Sequence, residues 1–396
     1  MTCEAARRNR LGAVIASFLS VMLGPASVVL IFMQDNLRIT VPFVLGLLLF
    51  MPLGVILHEL GHLLVARLVG LEIGGITLGS GKLVARIRIG DVPVRIHIAP
   101  FSGMVYLGAK TFTAFRTRLW LTVLAGPMTN LLLVVGMAVG WRDLLPVLGN
   151  ELILLWMVVN LILLMAALVP HRGVQGAQPY QSDGLMLWGI PRKRDAELAV
   201  YRGAAPMIRA YFLFLDHDYP RSLAASEQCL ERMPESPFAR IIVSANRCRM
   251  GDYAGAIAVL DPLKSLETLD ALSRALVRNN TAYALVMSAG RGVTPSLEDA
   301  ERLSGEAFAA YPCLLNIRNT RALVLALVGR ASEALELLSY KNYKSAEVLE
   351  RSYREGARAL ALGRLGKTED AQKHAREAMR LDPLIAPVLE LAGANV

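Results

Sequence analysis

The sequence predicts an all-α polytopic membrane protein of about four spans with a membrane-associated β-hairpin, followed by a soluble α-helical solenoid. Three observations carry this prediction: where the apolar residues fall, where the charge falls, and a repeat. Hydrophobic residues make up 54% of the 396 and the mean hydropathy is +0.43. The long apolar runs nevertheless all lie within residues 1–194. The formal net charge of +9 lies there too: 17 basic and 8 acidic residues precede position 195, and 25 of each follow from it. A basic excess confined to the apolar half points to membrane orientation, and argues against nucleic-acid binding, which needs a basic patch on a soluble domain. The predicted domains are therefore 1–194 and 195–396.

Four runs are long enough to cross a hydrocarbon layer of about 30 Å at about 1.5 Å per residue. They are 11–33, 41–66, 119–140 and 149–170. The first follows Arg7, Arg8 and Arg10 and mimics a secretory signal, but its apolar run exceeds a signal core and reads as a retained span. Eight more basic residues fall between the second and third spans, from Arg67 to Arg118, and Arg172, Arg192, Lys193 and Arg194 follow the fourth. With four spans, 15 of the 17 lie on one side, while QDNLRIT and WRDLLPVLGNE opposite are nearly bare. The positive-inside rule then makes both termini cytoplasmic, together with the whole second half, in a multi-pass protein of the cell (inner) membrane.

Between the second and third spans, residues 82–99 alternate on both sides of Gly90-Asp91, which predicts a β-hairpin. Ile87, Ile89, Val94, Ile96 and Ile98 form an apolar face, and Arg86, Arg88, Arg95 and His97 a basic one suited to lipid headgroups. In the second half, RMGDYAGAIAVL, LVGRASEALELL and RLGKTEDAQKHA share a Gly-x4-Ala core, and Pro312 and Pro383 each close a helix. Small residues where paired helices cross, a turn and a terminal proline resemble tetratricopeptide repeats, with insertions needed near 290 and 345. Cys3, Cys229, Cys248 and Cys313 show no ligand spacing and suit a reduced, cytosolic setting.

The chemistry concentrates in HELGH, inside the second span. On a helix His58 and His62 share a face and can direct their imidazoles at one metal, while Glu59, about 100° away, can reach an activated water as base. A histidine in a span can instead bridge neighbouring helices. A Glu and two His in an apolar run are unfavourable unless paired or coordinated, however, which favours a metal. The metzincin extension fails, because Val65 and Leu68 stand where its glycine and third histidine would be. Glu151 belongs to the opposite side of the membrane, so the remaining downstream candidates for a third ligand are His171 and Asp183, both on the cytoplasmic side after the fourth span. About 25 Å of helix precedes His58 and Arg67 follows only nine residues later, which places the site in the cytoplasmic half of the bilayer.

These residues resemble the site-2 protease family of intramembrane zinc metalloproteases over roughly 40–195. His58 to Gly70 matches HExxHxxxAxxxG, GPMTN at 126–130 matches GPxxN, and Ser182-Asp183-Gly184 matches the aspartate-glycine motif. The resemblance implies one Zn2+ held by His58, His62 and Asp183, with Glu59 catalytic. It also implies that Asn130 faces the active site as a substrate-binding or oxyanion group, a place Asn160 could likewise serve, although a lone Asn in a span commonly bonds to a neighbouring helix. The hairpin is implied to receive substrate as an added strand. Two departures stand out: Ala167 replaces an asparagine often found before Pro170, and Asp183 comes thirteen positions after Pro170. Gly126-Pro127 is expected to open its helix. The expected function is hydrolysis of a peptide bond in a transmembrane segment of a membrane-tethered protein, within a lipid bilayer, with a cytosolic protein partner on the repeats. The alternative is a catalytically silent, membrane-anchored scaffold. A zinc transporter fits less well, since the first span offers only three serines as polar side chains.

Overall fold

The computed structural model describes residues 37–175, 178–263, 269–288, 296–340 and 348–391. The predicted first span at 11–33 and the insertions near 290 and 345 lie outside them. The chain divides after Arg209 into two compact units.

In the first unit, α1 (Leu37–Leu68), α2 (Phe115–Val139) and α3 (Trp141–Leu168) carry stretches long and apolar enough to cross a membrane. These stretches are Gly46–Leu68, Phe115–Val139 and Asn150–Leu168, over the second, third and fourth predicted spans. Leucines such as Leu49, Leu64, Leu132 and Leu154 point outward, as helices surrounded by lipid allow. Lipid supplies no hydrophobic force between helices, so close packing depends on small residues. Gly54 and Gly61 of α1 meet that need: an added Cβ would stand 2.6 Å from Leu163 of α3 at the first, and 2.9 Å from the Ala125 carbonyl of α2 at the second.

β1 (Glu72–Ile89) and β2 (Val92–Gly108) pair antiparallel, turning at Gly90, whose φ of 63° suits a residue without Cβ. The hairpin is therefore longer than the predicted 82–99. Ile76, Thr77 and Leu78 each have two partners, Val105 and Val94, Met104 and Arg95, Gly103 and Ile96. The long strands thus double over into a small sheet, with the middle of β1 between two stretches of β2. That fold explains one departure from the sequence reading: Arg95, expected on an open basic face, is buried between Thr77 and Arg86. Ile87, Ile89 and Ile98 stay exposed.

After α3, the short hairpin β3 (Arg172–Gln175) and β4 (Gln178–Gln181) leads into α4 (Asp183–Gly189) and α5 (Asp195–Leu198). Residues 201–209, the start of α6 (Tyr201–Leu215), lie against the sheet. The Ala109 amide donates to the Tyr201 carbonyl at 2.9 Å, and Arg209 donates to the Ile73 carbonyl at 3.1 Å. Gly74 and Gly108 both face Ala205 so closely that a Cβ at either would stand 2.6 Å from it.

The second unit is helical throughout its described residues. After α7 (Tyr219–Arg232) come α8 (Pro237–Arg249), α9 (Tyr253–Ala258), α10 (Ala271–Met287), α11 (Leu297–Ala310), α12 (Leu315–Leu327), α13 (Ala331–Leu338), α14 (Val348–Arg364), α15 (Thr368–Leu381) and α16 (Ala386–Glu390). The repeated Gly-x4-Ala has a physical basis at each copy. Gly251, Gly329 and Gly366 turn the chain at φ of 81°, 85° and 74°, and Ala256, Ala334 and Ala371 are buried on the helix that follows.

One ion pair links distant parts of this unit. The Arg249 guanidinium donates to Asp382 and, at 2.8 Å, to the Tyr353 hydroxyl, with the two charged side chains only 4% and 3% exposed. Removing one partner strands the other in a dry interior, at a cost of about 3–5 kcal/mol. Asp382→Ala should therefore speed hydrogen exchange of the α8 and α14 amides strongly. Arg249→Met combined with Asp382→Leu leaves no charge behind and should cost much less.

Candidate metal centre

HELGH lies on α1, so His58 and His62 project from one face, their rings 4.8 Å apart and nearly perpendicular. The third group arrives from a remote part of the chain. Asp183 opens α4, and the two residues beside it fix its position. The Ser182 hydroxyl donates to the Val169 carbonyl at 2.9 Å and accepts from the Leu185 amide at 3.3 Å, as a helix N-cap does. Gly184 lies directly on the Leu168 carbonyl, where a Cβ has no room.

The thirteen-residue gap between Pro170 and Asp183 is accommodated by β3 and β4. The Ser182 amide donates to the His171 carbonyl at 3.0 Å, so the insertion begins and ends in the same place. Asp183 consequently returns to the end of α3. His171 does not join the metal ligands: its Nδ1 lies 2.9 Å from the Val169 carbonyl on the exposed side. His97 faces the Gly81 carbonyl at 2.8 Å, also exposed. Glu151 is exposed on α3 and takes no part in the cluster.

Among the described residues, His58, His62 and Asp183 form the one group of His, Cys, Asp or Glu side chains close enough to share a metal. His58 Nε2 lies 3.0 Å from Asp183 Oδ2, His62 Nε2 lies 3.4 Å from it, and the two Nε2 atoms are 3.2 Å apart. Ligands at about 2.0–2.1 Å around tetrahedral zinc stand about 3.3 Å from one another, so this triangle fits the ion.

Gly126 forms the wall beside both imidazoles. A Cβ there would meet His62 Nε2 and stand 2.6 Å from His58 Nε2. The sequence reading expected Gly126-Pro127 to open the helix, but α2 continues through Pro127, and the glycine serves instead to leave space. The His62 ring is held by its other nitrogen: Nδ1 lies 2.8 Å from the Thr122 carbonyl. A carbonyl only accepts, so Nδ1 carries the hydrogen and Nε2 offers its lone pair to the cluster.

Glu59 is buried next to these ligands without being one of them. The Val105 amide of β2 donates to its carboxylate. Gly103 lies over the same carboxylate, and a Cβ there would stand 2.6 Å from its Oε1. Asn130 is fully buried, with Oδ1 2.5 Å from His58 Nδ1 and Nδ2 donating to Asn160 Oδ1 at 3.0 Å. Both ends of the amide expected to face substrate are thus engaged by protein. Sequence reasoning had not identified Thr122 or Gly103 as parts of the site. Thr122 acts through its backbone and Gly103 through lacking a side chain, so neither leaves a motif.

Comparison with known proteins agrees with this geometry. The description "Peptidase family M50" matches residues 46–345, which is more than half of the chain. Two relatives named "Putative zinc metalloprotease" are similar to shorter parts. One, from Chlamydia pneumoniae, is 32% identical over 102 residues, 20% of this chain and 16% of its own. The other, from Synechocystis sp., is 30% identical over 162 residues, 40% of this chain and 36% of its own. The chain thus spans about a sixth of the length of the first and little more than a third of the second. A crystal structure of a thermophilic TPR protein from Thermus thermophilus overlays 48% of this chain and 100% of its own, at 17% identity and a TM-score of 0.37.

Proposed function

This chain belongs to peptidase family M50, the site-2 protease family, and from that premise we propose that it is an intramembrane zinc endopeptidase. It would cut a peptide bond within the membrane-spanning segment of a tethered protein. The observation that carries this reading is the meeting of His58, His62 and Asp183 at zinc-ligand spacing, with Glu59 beside them.

Zinc held by these three side chains would polarise the scissile carbonyl and make water nucleophilic near neutral pH. Glu59 takes the proton from the attacking water and returns it to the leaving amine. The Val105 amide holds the carboxylate in place for both transfers. The Gly103–Val105 stretch against Glu59 supports entry of an unwound substrate alongside the sheet, since a helix hides its peptide bonds and must open first. The exposed Ile87, Ile89 and Ile98 support a hairpin dipping into the bilayer boundary. The basic residues between and after the spans support a cytoplasmic location for the second unit, with both termini on that side. Its paired helices suit recruitment of a cytosolic protein or substrate tail. The two units, which meet after Arg209 rather than at the predicted boundary between 194 and 195, divide this work.

The test is cleavage of a membrane-tethered candidate substrate by the full chain in liposomes. Chelation is expected to stop cleavage, Zn2+ to restore it, and Asp183→Ala to remove both activity and stoichiometric zinc. Undiminished cleavage in chelator would sink the reading, and it would also favour no rival, since a silent scaffold cleaves nothing.

A further inference from the structure

The zinc ligand His58 has a choice that His62 lacks. His62 leans on a backbone carbonyl, but His58 Nδ1 faces a side-chain amide, Asn130, either end of which fits the same space. What decides which end faces the imidazole lies two residues further away, on α3.

Asn160 is fully buried and its Nδ2 lies 2.9 Å from the Trp156 carbonyl, one turn back on its own helix. That carbonyl can only accept, so the Asn160 amide must point its NH2 toward it. Asn160 Oδ1 is then the atom presented to Asn130 at 3.0 Å, and only the Asn130 NH2 can answer it. Asn130 Oδ1 is left for His58 Nδ1 at 2.5 Å, so that nitrogen carries the hydrogen and Nε2 keeps its lone pair. The order of donors and acceptors runs from a backbone carbonyl through two amides to the ligand, and reversing any one link opposes two acceptors or two donors in a buried site.

Resting on the zinc reading above, we propose that Asn160 and Asn130 form a polarised amide relay that turns the lone pair of His58 Nε2 toward the metal. Asn160 touches neither metal nor substrate and acts only through Asn130. Both are positioning residues. This role differs from that of an amide contacting substrate: Asn130 Oδ1 and one of its two N–H groups are both engaged within the relay.

The experiment is equilibrium Zn2+ binding by the full chain in nanodiscs, stripped with chelator and titrated against a chromophoric competitor, with Co2+ absorption reporting the ligand geometry. Outer-shell partners of metal-ligating histidines are typically worth about 10–100-fold in affinity. Asn130→Leu should weaken Zn2+ binding by that factor and alter the Co2+ spectrum. Asn130→Asp should recover only part of the affinity that Asn130→Leu loses, because one carboxylate oxygen still accepts from Nδ1–H while the other opposes Asn160 Oδ1. Asn160→Leu, close in size and apolar in a span, should weaken binding about tenfold by the same principle. The Asn130→Leu/Asn160→Leu double variant should be no weaker than Asn130→Leu alone, a non-additivity that independent packing defects would not give.

Wild-type affinity in Asn130→Leu or Asn160→Leu, or simple addition of their effects, would overturn the relay. Retained zinc affinity in Asn130→Leu with lost cleavage would assign Asn130 to the substrate instead. A wild-type protein that binds no zinc would instead overturn the metalloprotease reading itself, so the two failures are distinguishable.

Discussion

Glu59→Gln is expected to lower cleavage by roughly a thousand-fold or more while leaving one zinc per chain, the range that loss of a general base spans. The substitution is close to isosteric, and an amide oxygen can still accept the hydrogen bond that Val105 donates. It also keeps the contact with Gly103, which a larger side chain would not. What disappears is the ability to take a proton from water and deliver it to the leaving amine. A thousand-fold loss corresponds to about 4 kcal/mol of transition-state stabilisation. Glu59 is not a metal ligand, so zinc content and thermal stability should stay at wild-type levels, and only turnover should fall. Measured together, cleavage and zinc content separate a lost base from a lost metal. Wild-type turnover in Glu59→Gln would remove the carboxylate from the chemistry.

The local parts of this site were legible in the sequence because each motif lies within one turn or one cap. His58 and His62 share a face by helical period alone, and Ser182-Asp183-Gly184 combines a cap, a ligand and a close backbone approach. The three described apolar stretches follow from length and hydropathy in the same way. The relation between motifs was less legible. An asparagine in a span declares that it needs a partner, but whether that partner is substrate or His58 depends on how α1, α2 and α3 pack.

The sheet shows a second limit. Its start, EIGGITLG, is almost wholly buried, so it lacks the alternation that marks a half-buried strand, and its two adjacent glycines weaken strand propensity further. Gly74 is there because Ala205 lies against the backbone, a cause that comes from 131 residues downstream. Likewise, the distance from Pro170 to Asp183 looked like a departure until β3 and β4 brought the chain back to its starting point.

Gly126→Ala should have an effect as large as the loss of a ligand, though it adds only one methyl. The new Cβ would enter the space beside His62 Nε2 and His58 Nε2, the side from which both face the metal. The imidazoles cannot simply swing aside, because His62 is tied to the Thr122 carbonyl and His58 to Asn130. α2 cannot easily retreat either, since Gly61 holds α1 against the Ala125 carbonyl one residue before Gly126. Relief therefore comes from moving ligand nitrogens off the zinc triangle, and Zn2+ affinity should fall at least about 100-fold, the upper range for disturbing a ligand's surroundings. Gly136→Ala on the same helix is the control. An added Cβ there meets nothing within 4 Å, so this change should leave zinc and cleavage intact. It should even stabilise α2 by about 0.5–1 kcal/mol, because alanine loses less backbone entropy than glycine in a helix. Equal zinc affinity in the two alanine variants would show that the wall beside the imidazoles yields, and that Gly126 is not needed for its lack of a side chain.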